Sequence, residues 1–128
     1  MRAVDTNVVV RLITRDDEGQ AVRADALVRR GGWLSIVALS EVAWVLSSYY
    51  ALSRTALADA ITMLLHHDHL TLEQAPAVER AVELFRRTPG VSFADCLLIE
   101  VARHQGFTPL ATFDRKLAKL DGAELITS

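Results

Sequence analysis

Short apolar runs that alternate with longer stretches of helical spacing constrain this chain more than any other feature of its sequence. Met1–Asp5, Trp33–Ile36, Leu70–Leu72, Thr108–Thr112 and Glu124–Ile126 read as strands. Between them the spacing predicts helices over Asn7–Thr14, Glu18–Arg30 and Val37–Tyr50, then one capped by Ser53 that ends near His66. Further helices are expected from about Pro76 to Arg87, from a Ser92 cap to Gln105, and over the short segment Asp114–Leu120. Gly31-Gly32, Pro89-Gly90 and Gly106 supply the stops. A strand that returns to its sheet through a helix pairs parallel, with a right-handed crossover. The expected architecture is therefore α/β, a three-layer sandwich of parallel strands flanked by helices. In such sheets ligands bind beyond the carboxyl ends of the strands, which says where functional side chains should be sought.

A chain of 128 residues has room for one hydrophobic core, so residues 1–128 are expected to form a single domain. No apolar run is long enough to cross a bilayer, and Met1-Arg2 followed closely by Asp5 is not a secretory leader. The single cysteine, Cys96, excludes an internal disulfide and suits a reducing compartment, so a cytoplasmic protein with no membrane partner is expected. A net charge of −2 argues against coating nucleic acid by bulk electrostatics. It leaves room for a nuclease, in which bound cations and local arginines supply positive charge where the phosphate sits.

Four carboxylates fall at the ends of the expected strands. Asp5 closes the first, Glu41 lies in the first turns of the helix after the second, Asp95 lies in the first turn after Ser92, and Asp114 follows the fourth. Asp5 and Asp114 read equally well as helix caps, and Ser92-Phe93-Ala94-Asp95 matches a capping box. Glu41 resists that reading. It interrupts the apolar run Ile36–Leu46, and a glutamate buried there without a partner would cost several kcal/mol. Taken jointly, four converging carboxylates would repel one another unless a hard divalent cation such as Mg2+ or Mn2+ sat among them. Such a cluster suits metal-assisted phosphodiester hydrolysis, with one cation or two.

Four segments then carry a resemblance: Asp5-Thr6-Asn7-Val8-Val9-Val10-Arg11-Leu12, Ala38-Leu39-Ser40-Glu41-Val42-Ala43-Trp44-Val45-Leu46, Ser92-Phe93-Ala94-Asp95-Cys96-Leu97-Leu98 and Ala111-Thr112-Phe113-Asp114-Arg115-Lys116-Leu117. In order and spacing, over nearly the whole chain, they resemble the signature segments of PIN domains, and among these the VapC group of bacterial toxin ribonucleases. The resemblance implies a PIN-like sheet of about five parallel strands and Mg2+- or Mn2+-dependent endoribonuclease activity. It also implies a homodimer, an RNA substrate and a cognate VapB-like antitoxin covering the active-site groove. Asp5, Glu41, Asp95 and Asp114 match the metal-ligating, catalytic acids of the family. Thr6, Asn7 and Thr112 would orient those carboxylates or bound water. Some members carry a further acid shortly after the fourth; Arg115 and Lys116 stand there instead, a departure that bears on a second metal and not on the first.

Other residues rank lower. Arg11 and Arg15 share a helical face, and Arg115 and Lys116 flank Asp114, so all four are candidate RNA-phosphate ligands. Arg29-Arg30 and Arg86-Arg87 read as helix C-terminal charges. His66, His67 and His69 lack the spacing of a zinc site and read as solvated or capping histidines. Cys96 reads as a small core residue, Trp44 as core or dimer surface, and Tyr49 and Tyr50 are open to either packing or base stacking. The competing function is a non-catalytic PIN-like interaction module whose acids only cap helices. A receiver-like or phosphatase-like domain fits less well, because Asp5-Thr6-Asn7 offers one acid where those need two, and no lysine precedes Lys116.

Overall fold

The computed structural model describes residues 1–127. The chain divides into two compact units, Met1–Ala75 and the residues from Pro76 on. The first unit runs β1 (Arg2–Ala3), α1 (Thr6–Thr14), α2 (Glu18–Val28), β2 (Gly32–Leu34), α3 (Ile36–Ser48), α4 (Arg54–Leu65) and β3 (Leu70–Leu72). Its strands pair parallel in the order β1-β2-β3, with Gly32 opposite both Arg2 and Leu70. Helices fill each connection, which is what parallel pairing requires. The second unit holds nearly all of α5 (Ala75–Arg87), then α6 (Phe93–His104), β4 (Leu110–Thr112), a 3-10 turn (Leu117–Lys119) and β5 (Ala123–Leu125). Here β4 and β5 pair, also parallel, with Ala111 opposite Glu124. The α/β class is as expected, and five strands form among the described residues. They pair as a three-stranded sheet in the first unit and a two-stranded sheet in the second.

Local chemistry accounts for the helix starts. Asp5, Asp17, Ser35, Ser53 and Ser92 each accept a backbone N–H of the first turn, from Thr6, Gln20, Ala38, Ala56 and Asp95 respectively. Such a cap contributes about 1 kcal/mol. Ser35 explains why the second strand is shorter than its sequence pattern predicts. Its backbone is still extended (ψ 159°), but its hydroxyl already belongs to α3. The short helix predicted over Asp114–Leu120 is reduced to the 3-10 turn Leu117–Lys119: Asp114 caps the N–H groups of Lys116 and Leu117, but the backbone is already extended at Leu120.

In the first unit the core comprises Val9, Val10, Leu34, Leu39, Val42, Leu46, Ile61 and Leu64, all fully buried. In the second, Val78, Phe85, Phe93, Cys96 and Ile99 are buried, with the two phenylalanine rings edge to face at 5.8 Å. Cys96 is thus the core residue its setting suggests.

Gly122, just before β5, has φ +92°, and a Cβ there would stand 2.5 Å from an Arg103 guanidinium nitrogen. Gly122→Ala is expected to destabilise the protein by about 2 kcal/mol, since a left-handed backbone alone costs an L-residue roughly 1–2 kcal/mol. Thermal unfolding reads this as a fall of several degrees; an unchanged midpoint would show that the turn relaxes around the new methyl.

Candidate functional site

Each of the four acids is set by the element that precedes it. Asp5 lies two residues after β1 and caps α1, its Oδ1 accepting the Thr6 N–H at 2.7 Å, and the residue is exposed. Asp114 lies two residues after β4. Its Oδ1 accepts the N–H groups of Lys116 at 2.9 Å and Leu117 at 3.3 Å, while its own N–H donates to the Thr112 hydroxyl at 3.0 Å. The capping expected of both is present, and every bond described for these carboxylates falls on Oδ1.

Asp95 is the third residue of α6 and half-buried. Its N–H donates to the Ser92 hydroxyl at 3.1 Å, which is one half of the anticipated capping box. Among the described residues its carboxylate has no hydrogen-bond or ion-pair partner, so the other half does not form.

For Glu41 the structure corrects the sequence pattern. The run Ile36–Leu46 predicts a mostly buried helix and a buried charge, but α3 buries one side only: Leu39, Val42, Ala43 and Leu46. Glu41 lies on the opposite stripe with Val37, Trp44 and Ser48, all exposed at the i, i+4, i+7, i+11 spacing of one helix face. No burial penalty applies, and among the described residues its carboxylate also has no partner. Trp44, 65% exposed, is not a core residue.

The four acids are shared between the units, Asp5 and Glu41 in the first, Asp95 and Asp114 in the second. Among the described residues no group of three or more His, Cys, Asp or Glu side chains is placed to hold a metal ion. The supporting residues differ in setting. Thr6 is buried, Asn7 exposed, and Thr112 fixes the Asp114 turn through its hydroxyl.

Arg11 and Arg15 are engaged elsewhere. Arg11 donates through Nε to Gln20 at 2.6 Å, and through Nη1 to Asp16 at 3.3 Å and the Tyr50 hydroxyl at 3.2 Å. Tyr50 donates in turn to Asp16 at 2.7 Å. This network, the Tyr50 hydroxyl foremost and then that of Thr14, holds the Asp16 carboxyl below the usual carboxylate range. Arg15 makes a two-pronged contact with Asp25 at 2.7 and 3.1 Å, which lowers the Asp25 pKa and raises that of the guanidinium. Arg115 and Lys116 are exposed.

One acid escapes the sequence pattern. Glu73, directly after β3, accepts the Ile36 N–H at 2.8 Å and donates its own N–H to the Leu34 carbonyl at 2.9 Å. It satisfies an otherwise free amide at the start of α3. Its position at the carboxyl end of a parallel strand is visible in the sequence, but nothing local says which helix it serves. Of the histidines, His67 accepts the His69 N–H at 3.1 Å in the turn before β3.

A search of curated proteins finds no significant match. Among solved structures, the chain is similar to the VapC20 toxin of Mycobacterium tuberculosis, described as cleaving the sarcin–ricin loop; the two are 22% identical, the match covers 93% of this chain and 94% of that one, and the TM-score is 0.44. The family model of the PIN domain matches residues 2–123, which takes in all four acids. The chain belongs to the PIN domain family.

Proposed function

We propose that this protein is a Mg2+- or Mn2+-dependent endoribonuclease, the VapC-type toxin of a toxin–antitoxin pair, which hydrolyses RNA phosphodiester bonds. One observation carries the reading. Glu41 and Asp95 stand at motif positions of the family with carboxylates that have no partner among the described residues, as do acids outside the motifs such as Glu79 and Glu83, so the motif position is what singles these two out. Charged groups with no structural task at those positions support a chemical one.

Asp5, Glu41, Asp95 and Asp114 are the proposed catalytic and metal-holding residues. The donor set is all carboxylate, with no histidine or cysteine, and so fits a hard divalent cation. Bound there, the cation would neutralise charge on the scissile phosphate and acidify a water. The backbone N–H bonds to Oδ1 of Asp5 and of Asp114 hold each side chain in a fixed rotamer, so neither need be ordered when ligand arrives. Thr112 steadies the turn that carries Asp114, and Thr6 and Asn7 are proposed to orient Asp5 or nearby water. Arg115 and Lys116 are the better candidates for substrate phosphates, because the guanidiniums of Arg11 and Arg15 are already held.

The same reading makes the chain one PIN domain acting in the cytoplasm, as a homodimer, silenced by a VapB-like antitoxin. No helix of the described residues is long and apolar enough to cross a membrane. The test is incubation of the purified chain, freed of bound partner, with structured RNAs in EDTA, Mg2+ or Mn2+, beside Asp5→Asn prepared identically. Cleavage is expected only with metal and only in the unaltered chain. No cleavage of several RNAs, together with no calorimetric metal binding, would reject the reading.

A further inference from the structure

Phe113 is 81% exposed, the most exposed large apolar side chain among the described residues. Its backbone is nevertheless clamped on both sides. Thr112 ends β4 and accepts the Asp114 N–H; Asp114 takes the N–H groups of Lys116 and Leu117 and, through its carbonyl, that of Ala118 at 2.9 Å; and Leu117, in the turn that follows, is buried. The ring therefore stands in solvent on an ordered support, forgoing the burial that stabilises a core phenylalanine. Two exposed cations, Arg115 and Lys116, follow within three residues, and Asp114 lies between ring and cations.

An aromatic ring beside positive charge is the make-up of single-strand nucleic-acid surfaces, where any base offers a π-face and the cations track the backbone. Unpaired bases are also what sequence-specific RNA recognition addresses. An acidic peptide would find the same two cations, but it carries no row of π-faces to lay on a flat ring. We infer that Phe113 is the stacking platform for one unpaired base of the RNA, with Arg115 and Lys116 holding the adjoining phosphates. The inference rests on the proposed ribonuclease reading and deepens it: a base stacked next to Asp114 belongs to a nucleotide at or beside the cut, so Phe113 helps set base preference there.

Phe107 provides the internal control. It is 76% exposed, precedes β4 rather than following it, and has no charged residue within two positions. Binding of a fluorescein-labelled single-stranded RNA of mixed sequence is measured by anisotropy on the full chain carrying Asp5→Asn, alone or with Phe113→Ala, Phe113→Trp or Phe107→Ala. Steady-state cleavage is followed in the same three variants without the Asp5 change. Phe113→Ala is expected to weaken binding roughly 5- to 150-fold, the span for loss of one base–aromatic stack, while Phe113→Trp restores it and Phe107→Ala stays within about twofold. In cleavage KM rises, kcat holds, and preference at the nucleotide beside the cut relaxes.

Unchanged RNA binding in Phe113→Ala, or equal loss in Phe107→Ala, overturns the inference. So does a loss confined to an acidic poly-glutamate peptide, which would make the surface a protein-docking one. RNA binding that depends on Phe113 in a chain that cuts nothing would uphold the platform and reject the nuclease. Normal cutting by Phe113→Ala would do the reverse, and no RNA binding by any form rejects both.

Discussion

Glu41→Gln is expected to remove RNA cleavage while leaving the thermal midpoint where it is. Losing one positioned charged group from a site of this kind lowers kcat/KM by about 10²- to 10⁴-fold. The Glu41 side chain is exposed and without a partner among the described residues, so the neutral amide should change stability by no more than about 0.5 kcal/mol. Asp95→Asn is expected to behave alike, because the Ser92 cap uses the Asp95 backbone N–H and not its carboxylate. Asp5 offers a contrast. Asp5→Asn keeps a capping oxygen for the Thr6 N–H, whereas Asp5→Ala loses activity and about 1 kcal/mol of helix capping together. The pattern is read by pairing initial rates on one RNA with thermal melts of the same preparations. Glu41→Gln and Asp95→Asn proteins that cut at the original rate would remove both residues from the chemistry and favour a non-catalytic interaction module. Variants that lost activity and stability in proportion would assign these acids a folding role instead.

How much of this was legible beforehand depends on the range of the interaction. Ser53 and Ser92 announce their helices because capping is local: a hydroxyl, and a first-turn amide three residues on. The apolar Leu70–Leu72 run reads correctly for the same reason, as a three-residue strand bounded by polar neighbours. Burial on α3 is not local. Val37, Glu41 and Trp44 look like core in an apolar run, yet the exposed stripe follows from which side of the helix packs, a property of the fold and not of the run. The roles of Arg11, Arg15 and Glu73 are also hidden. Each is settled by a partner far along the chain or on another element: Tyr50 for Arg11, Asp25 for Arg15, the Ile36 amide for Glu73. Among the four acids, the sequence can propose the residue types and their attachment to strand ends. Capping by Asp5 and Asp114 is also legible, being local; which oxygen is committed, and to which amides, is visible only once the amides have positions.

Loss of Arg80 and Arg103 together is expected to be the most damaging change to stability, through a carboxylate that no motif marks. Glu100 on α6 is 4% exposed, and its Oε1 accepts from Arg80 Nε at 3.3 Å and Arg103 Nε at 3.2 Å. Arg103 continues to the Asp121 carbonyl at 3.1 Å, just ahead of β5, so one buried charge ties α5, α6 and the approach to β5. Stranding a buried charge costs roughly 3–5 kcal/mol; because about two fifths of each arginine side chain remains exposed, water offsets part of this and about 2–4 kcal/mol is expected. Each single change, Arg80→Ala or Arg103→Ala, leaves Glu100 one partner and should cost no more than about 0.5 kcal/mol, so the pair is more than additive. Glu100→Leu, which removes the charge itself and lets both guanidiniums reach solvent, should lie within about 1 kcal/mol of the original protein. Urea melts of the four variants decide the matter: additive singles, or a Glu100→Leu as damaged as the double variant, would show that packing and not charge holds this region. The site is linked to the clamp, since α6 carries Asp95 in its first turn. Activity lost in the double variant should therefore return on cooling, whereas activity lost with the Asp95 carboxylate should not.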